Sequence, residues 1–143
     1  MRVPLVALFA AALAAACGDD APTCGETLRC DDFATQPGYT AGAMDFLPDD
    51  FPAAPAGATL CGQAAGPNVY FLTDNAAAIH DYYNGALTAA GWTAAGPVSS
   101  AGPADAGPDC ETEQIFTTGD PVVLVHVYPT RGAFSLALRN LDQ

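Results

Sequence analysis

The alternation of apolar and polar residues over the last third of the chain constrains its fold more than any other feature. Six large apolar residues occupy every second position of two runs, 122–128 and 133–139: Val123, Val125, Val127, Phe134, Leu136 and Leu138. Successive side chains of a strand point to opposite faces of a sheet, so this spacing predicts two strands that each bury one face. The intervening PTRG predicts a tight turn, and a further strand predicted at 111–117 extends the hairpin into an antiparallel meander.

One segment, TDNAAAIHDYYNGALTAAGW, has the spacing of an amphipathic helix. Its apolar face consists of Ile79, Tyr83, Ala86, Leu87 and Ala90. Asp74 or Asn75 is a suitable N-cap residue, because either side chain can accept the free N–H groups of the first turn. Gly91 is predicted to end the helix in a left-handed conformation, which would bring Trp92 against Leu87 in a Schellman motif.

Two more short strands are predicted at 68–73 and 92–98 from their aromatic and β-branched residues. The apolar face of the meander needs a cover, and the amphipathic helix is the obvious candidate. We therefore expect an α+β fold, in which an antiparallel sheet of four or five strands has one principal helix packed on one face. The opposite face is expected to be uncovered.

Residues 47–60 carry three prolines and no regular apolar period, which excludes a helix or a central strand. We expect an extended segment that packs on the sheet through Phe46, Leu47 and Phe51. The run PDDFPAAPAGA, the helix ending in YYNGALTAAGW and the two hairpins resemble small domains of uncharacterised exported bacterial proteins. That resemblance spans 47–140 and implies an α+β fold, without catalytic residues to carry over.

The chain begins with the layout of a secretory signal peptide. Arg2 precedes an apolar run that ends in small residues before Cys17. The run is shorter than the roughly 20 residues that a membrane-spanning helix needs. Residues 1–16 are therefore predicted to direct export and to be removed.

The residues AAAC at the end of this run resemble the lipobox of bacterial lipoproteins, in which the cysteine at the cleavage site is lipidated. The resemblance implies that Cys17 becomes the new N-terminus and carries acyl chains such as palmitate. The protein would then be a membrane-anchored component of the bacterial cell envelope, and we expect the outer membrane rather than the inner. The alternative is ordinary cleavage after an A-x-A site formed by Ala14 and Ala16, which would release a soluble protein beginning at Cys17.

Lipidation of Cys17 would leave an even number of cysteines in an oxidising compartment, which favours two disulfide bonds. These four cysteines are Cys24, Cys30, Cys61 and Cys110. Residues 17–40 are acidic and rich in Gly, Asp and Pro, so we interpret them as a tether before a single domain at 41–143. A short loop within the tether, closed by its two cysteines, would leave a long-range bond in the domain, and the other two pairings stay open.

The charge balance excludes nucleic acid as a partner. Sixteen acidic residues face four basic ones, giving a net charge of −12, and binding to a phosphate backbone needs a basic patch.

Catalytic signatures are sparse. Ser135, His126 and a nearby acid could form a Ser-His-acid site in principle, but no G-x-S-x-G motif supports it. His80 and His126 lie on separate predicted elements and are too few for a zinc site. We therefore expect no enzymatic activity, no metal and no cofactor.

Two functional hypotheses remain. The first is a non-catalytic envelope module that binds a protein, a glycan or a small ligand, with Tyr82 and Tyr128 as candidate recognition residues because tyrosine is enriched in binding hot spots. The second is a small exported hydrolase or metal-dependent enzyme with a dispersed site. An exposed apolar patch without convergent titratable groups would favour the first, whereas a cleft that joins His126 to a carboxylate would favour the second.

Overall fold

The computed structural model describes residues 24–102, 110–119 and 121–140, so the predicted signal peptide and Cys17 lie outside the described part. Within it, eight strands form one antiparallel sheet in the order β1-β2-β3-β8-β7-β6-β4, and β5 also pairs with β6. The strands are β1 (Thr40–Ala41), β2 (Thr59–Ala64), β3 (Asn68–Leu72), β4 (Thr93–Ala94), β5 (Ser99–Ser100), β6 (Thr112–Thr117), β7 (Pro121–Tyr128) and β8 (Ala133–Asn140).

The C-terminal meander matches the predicted alternation. In the pairing of β7 with β8, Val125 lies opposite Leu136 and Val127 opposite Phe134, and all four are buried. The β2–β3 hairpin then joins the sheet through β3, which pairs antiparallel with β8. The antiparallel sheet of an α+β fold is thus confirmed.

The predicted count of four or five strands is wrong, because the described residues form eight. The strands that were not predicted are β1, β2 and β5, and β1 and β5 have only two residues, too few to show a period in sequence. The third, β2, lies at the end of the segment expected to be extended, and a register shift between Leu60 and Gly62 interrupts its alternation. The strand predicted at 92–98 is present as the two residues of β4. A side chain on Gly62 would overlap the carbonyl oxygen of Thr40, so glycine allows β1 to approach β2.

The principal helix is α2 (Ile79–Ala89), preceded by a 3₁₀ turn at Ala76–Ala78; a single helical turn, α1 (Cys30–Phe33), lies earlier in the chain. The predicted Schellman motif is present: Gly91 has a φ of 94°, its N–H donates to the Thr88 carbonyl at 3.1 Å, and the Trp92 N–H donates to Leu87 at 2.9 Å.

The predicted N-cap of this helix is wrong. The helix begins only at Ile79, and neither Asp74 nor Asn75 caps it through a side chain. Instead the Asn75 N–H donates to the Thr73 hydroxyl at 3.2 Å. The 3₁₀ turn separates the polar residues from the first turn of the α-helix, which is why a local capping rule fails here.

The main core lies between α2 and one face of the sheet, which we call the helix-side face. Ile79, Tyr83 and Leu87 are buried there with large apolar residues of the sheet. Phe46, Leu47 and Phe51 pack against the same core, as expected for the proline-containing segment. We call residues 44–55 the entry segment.

The opposite face of the sheet is partly covered by the N-terminal residues, contrary to expectation. Leu28 and Phe33 are buried on it, and the Phe33 ring stacks on Tyr70 with 4.5 Å between centroids. Residues 24–40, the described part of the expected tether, therefore pack against the sheet. The tether was inferred from polar composition alone. Two apolar residues are nevertheless enough to hold the segment against the sheet, because covalent bonds also keep it there.

Two disulfides provide those bonds: Cys24 with Cys110, and Cys30 with Cys61. Of the three pairings that the sequence left open, the one that joins Cys24 to Cys30 and Cys61 to Cys110 is not the one found. Short sequence separation suggested a local loop, but α1 lies over β2, which places Cys30 beside Cys61 instead.

Replacing Cys30 and Cys61 together by alanine should lower the free energy of unfolding by about 4 kcal/mol, because the bond closes a loop over a separation of 31 residues. Denaturant unfolding measures this change. Peptide mapping without reduction should recover the two cross-links described above, and recovery of a peptide joining Cys24 to Cys30 would contradict this topology.

Candidate functional site

A cavity of about 250 Å³ lies between the entry segment and the helix-side face of the sheet. Most of the residues that line it are apolar, but polar atoms contribute more than half of its exposed surface. The lining residues are Met44, Leu47, Pro48, Asp49, Phe51, Pro52, Ala53, Ala54, Phe71, Tyr83 and Leu136. Because proline prevents the entry segment from joining the sheet as a central strand, the segment crosses the core without filling the space beneath it.

Tyr83, one of the lining residues, carries a buried hydroxyl. The helical period places its side chain in the core, where it is fully buried and packs 5.9 Å from the ring of Phe134 and 6.4 Å from that of Phe51. Its hydroxyl has no hydrogen-bond partner among the described residues. A buried polar group left unpaired costs about 1–3 kcal/mol.

The phenol of Tyr83 is held in its neutral form. Burial raises the pKa of Tyr83 well above its ordinary value, and neighbouring Tyr82 adds a smaller contribution in the same direction. The hydroxyl can therefore both donate and accept a hydrogen bond at any ordinary pH. It lies behind the cavity surface, because it is inaccessible to water.

Tyr82 has a different position from the one expected of a recognition residue. Its ring meets that of Tyr83 edge to face at 5.0 Å, and its hydroxyl donates to the carbonyl of Ala53 at 2.6 Å. This bond ties the helix to the entry segment and thereby holds one wall of the cavity.

Four of the lining residues are exposed: Met44, Pro48, Asp49 and Ala53. The start of the entry segment is fixed nearby by Gln63 of β2. The Gln63 amide oxygen accepts from the Asp45 backbone N–H at 2.7 Å, and its nitrogen donates to the Asp45 carboxylate at 3.3 Å. The opening thus has an acidic character.

A second polar cluster lies on the opposite face of the sheet. His126 Nε2 is 3.0 Å from Glu111 Oε1, and Ser135 lies directly across from His126 in the pairing of β7 with β8. The Tyr128 ring is 4.9 Å from that of His126. Burial raises the pKa of Tyr128 to about 12, and the Glu111 carboxylate adds to that rise.

Tyr128, the other predicted recognition residue, is half-buried in this cluster and lies 6.2 Å from the Phe33 ring. The N-terminal residues therefore occupy part of the face on which it was expected to be exposed. Tyr82 and Tyr128 lie on opposite faces of the sheet and do not form one surface.

The two histidines do not share a site either. Thr112 pairs with Val127 and faces the helix side, where its hydroxyl lies 2.8 Å from His80 Nε2, whereas His126 faces the other side. Burial lowers the pKa of His80, with a smaller contribution from His126. His80 is thus kept neutral, which suits a structural bond to a hydroxyl.

Among residues 24–102, 110–119 and 121–140, no group of three His, Cys, Asp or Glu side chains is placed to hold a metal ion. Over the same residues, α2 and the shorter helical turns lack the length and apolar character needed to cross a bilayer.

Sequence reasoning placed Tyr83 correctly in the core but missed its unpaired hydroxyl and the cavity. The sequence contained only an indirect sign of the cavity. The segment that covers the sheet has three prolines, and proline prevents it from following the sheet closely. Comparison with protein-family models, curated proteins and solved structures finds no match to this chain.

Replacing Tyr83 by phenylalanine should raise the free energy of unfolding by about 1 kcal/mol, because it removes a buried hydroxyl that has no protein partner. Thermal or denaturant unfolding measures the change. Tyr82→Phe is the matched control and should be destabilising, since it removes the bond to Ala53. A loss of stability in Tyr83→Phe would show that its hydroxyl already has a protein partner.

Proposed function

We propose that this chain is an exported, lipid-anchored protein of the bacterial cell envelope that binds a small molecule in the cavity beneath the entry segment. It acts as a binding module and not as an enzyme. The observation that carries this proposal is the cavity of about 250 Å³ itself, which combines apolar side chains with exposed polar atoms. Small-molecule sites pair apolar side chains with a few polar groups that fix the orientation of the ligand.

The volume of the cavity, about 250 Å³, lies just below the roughly 300 Å³ at which known ligand pockets begin, so its ligand must be small. The Tyr83 hydroxyl lies behind the cavity surface, because it is buried and inaccessible to water.

Cysteine usage supports the export and lipidation part of the proposal. Both disulfides point to an oxidising compartment, and together they use all four cysteines that follow Cys17. Cys17 is then the odd cysteine, at the position where AAAC resembles a lipobox. Lipidation would make the Cys17 thiol the attachment point of the anchor.

The intact mass of protein purified from membranes of its own host tests this part. We expect a chain that begins at Cys17, carries acyl groups and gains four hydrogens on reduction, because two disulfides open. Export of a Cys17→Ser variant is the control and should give no acylated product. A wild-type chain without lipid would contradict the anchor and leave a free thiol at Cys17.

Isothermal titration with indole tests the cavity, because indole is uncharged and small enough for a cavity of about 250 Å³. We expect saturable binding to the exported protein. Ala54→Phe should abolish it by filling the cavity, since Ala54 lines the wall.

Ala89→Phe is the matched control for this experiment. It adds the same ring at an exposed position of α2, away from the lining residues, and should leave binding within about twofold. Equal binding by the parent protein and by Ala54→Phe would contradict the proposal.

The alternative is an exported hydrolase, favoured by the 3.0 Å contact between His126 and Glu111 with Ser135 opposite. Three features weigh against it. Ser135 is only 6% exposed. The Nε2 atom of His126 already contacts Glu111. His126 also lines none of four cavities formed by the described residues. Labelling of the chain by a serine-reactive fluorophosphonate, lost in Ser135→Ala, would instead favour the hydrolase.

A further inference from the structure

The first described residue, Cys24, is fixed at one end of the sheet. Its disulfide to Cys110 places it beside the start of β6. At the same end the Arg131 Nε atom donates to the Glu26 carbonyl at 2.8 Å, and Arg131 lies in the turn that joins β7 to β8. We call this end of the sheet, which includes the turn at 129–132, the Cys24 end.

The other end of the sheet, which we call the far end, lies one strand length away. β6 begins opposite Val127 of β7 and ends opposite Val122, so both strands run from one end to the other. β7 has eight residues, and a strand rises about 3.4 Å per residue, so the two ends are about 27 Å apart. Thr130 lies at the Cys24 end and Thr118 at the far end, and both are exposed.

A short piece of chain joins the lipid proposed at Cys17 to the Cys24 end. Cys24 is the seventh residue after Cys17. An extended chain spans at most about 3.6 Å per residue, so the reach of this piece is about 25 Å. The far end could meet a lipid surface only with the piece almost fully extended, which the loss of conformational entropy opposes. The Cys24 end can meet the same surface without that cost.

The charge of the chain does not compete with this geometry. Acidic residues outnumber basic ones by 16 to four, so the protein has no excess positive charge to attract anionic head groups. Its affinity for a bilayer would come from the acyl chains, whose buried hydrocarbon supplies the free energy of anchoring. The position of the lipidated residue therefore decides the orientation.

We infer that the Cys24 end of the sheet faces the lipid bilayer, at a distance limited by the disulfide between Cys24 and Cys110. The inference rests on the proposed function, because it needs the lipid at Cys17. Without this disulfide the first covalent attachment to the sheet is Cys30, which is bonded to Cys61. Cys30 is the thirteenth residue after Cys17, so the reach would rise to about 47 Å and either end could meet the lipid.

Photocrosslinking to lipid tests the orientation. The lipidated protein, with p-benzoylphenylalanine in place of Thr130 or of Thr118, is purified from bacterial membranes and placed in vesicles of phosphatidylcholine, whose head group has no net charge. We expect severalfold more lipid adduct, measured by mass, from position 130 than from position 118. The two positions are a matched pair, because each is an exposed threonine at one end of the sheet.

The disulfides are tested by two pairs of substitutions in these proteins. Cys24→Ala with Cys110→Ala should bring the two adduct yields to within about twofold of each other, because the reach then exceeds the length of the sheet. Cys30→Ala with Cys61→Ala is the matched control. It also removes one disulfide but leaves Cys24 bonded to Cys110, so the difference between the two positions should persist.

A longer piece of chain tests the reach with both disulfides intact, so the result does not depend on the stability of the alanine variants. Inserting about 14 Gly and Ser residues between Ala21 and Pro22 triples the reach to about 75 Å, and the two adduct yields should again become similar. The same residues added after Gln143 are the control and should leave the difference unchanged.

The outcomes separate this inference from the proposed function. A lipidated protein that gives equal yields at the two positions, gives no adduct at either, or keeps the difference after the insertion would overturn the orientation and leave the anchor. An intact mass without acyl chains would overturn the anchor and this inference with it, and would leave the cavity to be judged by its own titration.

Discussion

The pairing of β3 with β8 is the contact on which the rest of the structure depends. It joins the N-terminal hairpin to the C-terminal meander, with 60 residues of chain between the end of β3 and the start of β8 and with five residues of each strand in register. On the helix side it stacks the Phe71 ring on Phe134 at 4.8 Å, and on the other side it sets Tyr70 opposite Ser135. Both apolar clusters are built outward from this line.

The two faces that result are covered in different ways. On one face α2 packs mainly by hydrophobic burial, with a polar contact from His80 to Thr112 of β6, and it ends where Gly91 permits the Schellman turn. On the other face the N-terminal residues offer little apolar area and are held by two disulfides that tie them to β2 and to Cys110. Loop closure by covalent bonds replaces the missing core, as is common in small exported proteins.

The cavity arises because α2 covers only part of the helix-side face. The helix covers part of the sheet, and the entry segment has to cover the remainder. Its prolines keep it out of the sheet, and its position is set by a few polar bonds, from Tyr82 to Ala53 and from Gln63 to Asp45. The site is thus a region in which packing is incomplete while the walls are fixed, a combination suited to a preformed pocket.

Local rules sufficed for the features that are themselves local. The alternation around Val125 and Leu136 and the Gly91 stop signal were correct because each depends on a few neighbouring residues. The same rules failed at Cys30, whose partner lies in β2, and for the N-terminal residues, whose polar composition suggested a tether. In both cases a long-range contact decided the outcome, and no spacing along the chain encodes it.

The sequence by itself determined the α+β class and the buried faces of β7, β8 and α2, and it led to the expectation of export and disulfide bonding. These features depend on the apolar period, the turn residues and the number of cysteines, all of which are properties of the linear sequence. Only the tertiary structure decided the disulfide pairing, the separation of Tyr82 from Tyr128, the burial of an unpaired Tyr83 hydroxyl and the cavity beneath the entry segment. The physical reason is that hydrogen-bond satisfaction and cavity volume depend on how distant segments fill the space around one atom, whereas periodicity depends only on the geometry of the chain beside it.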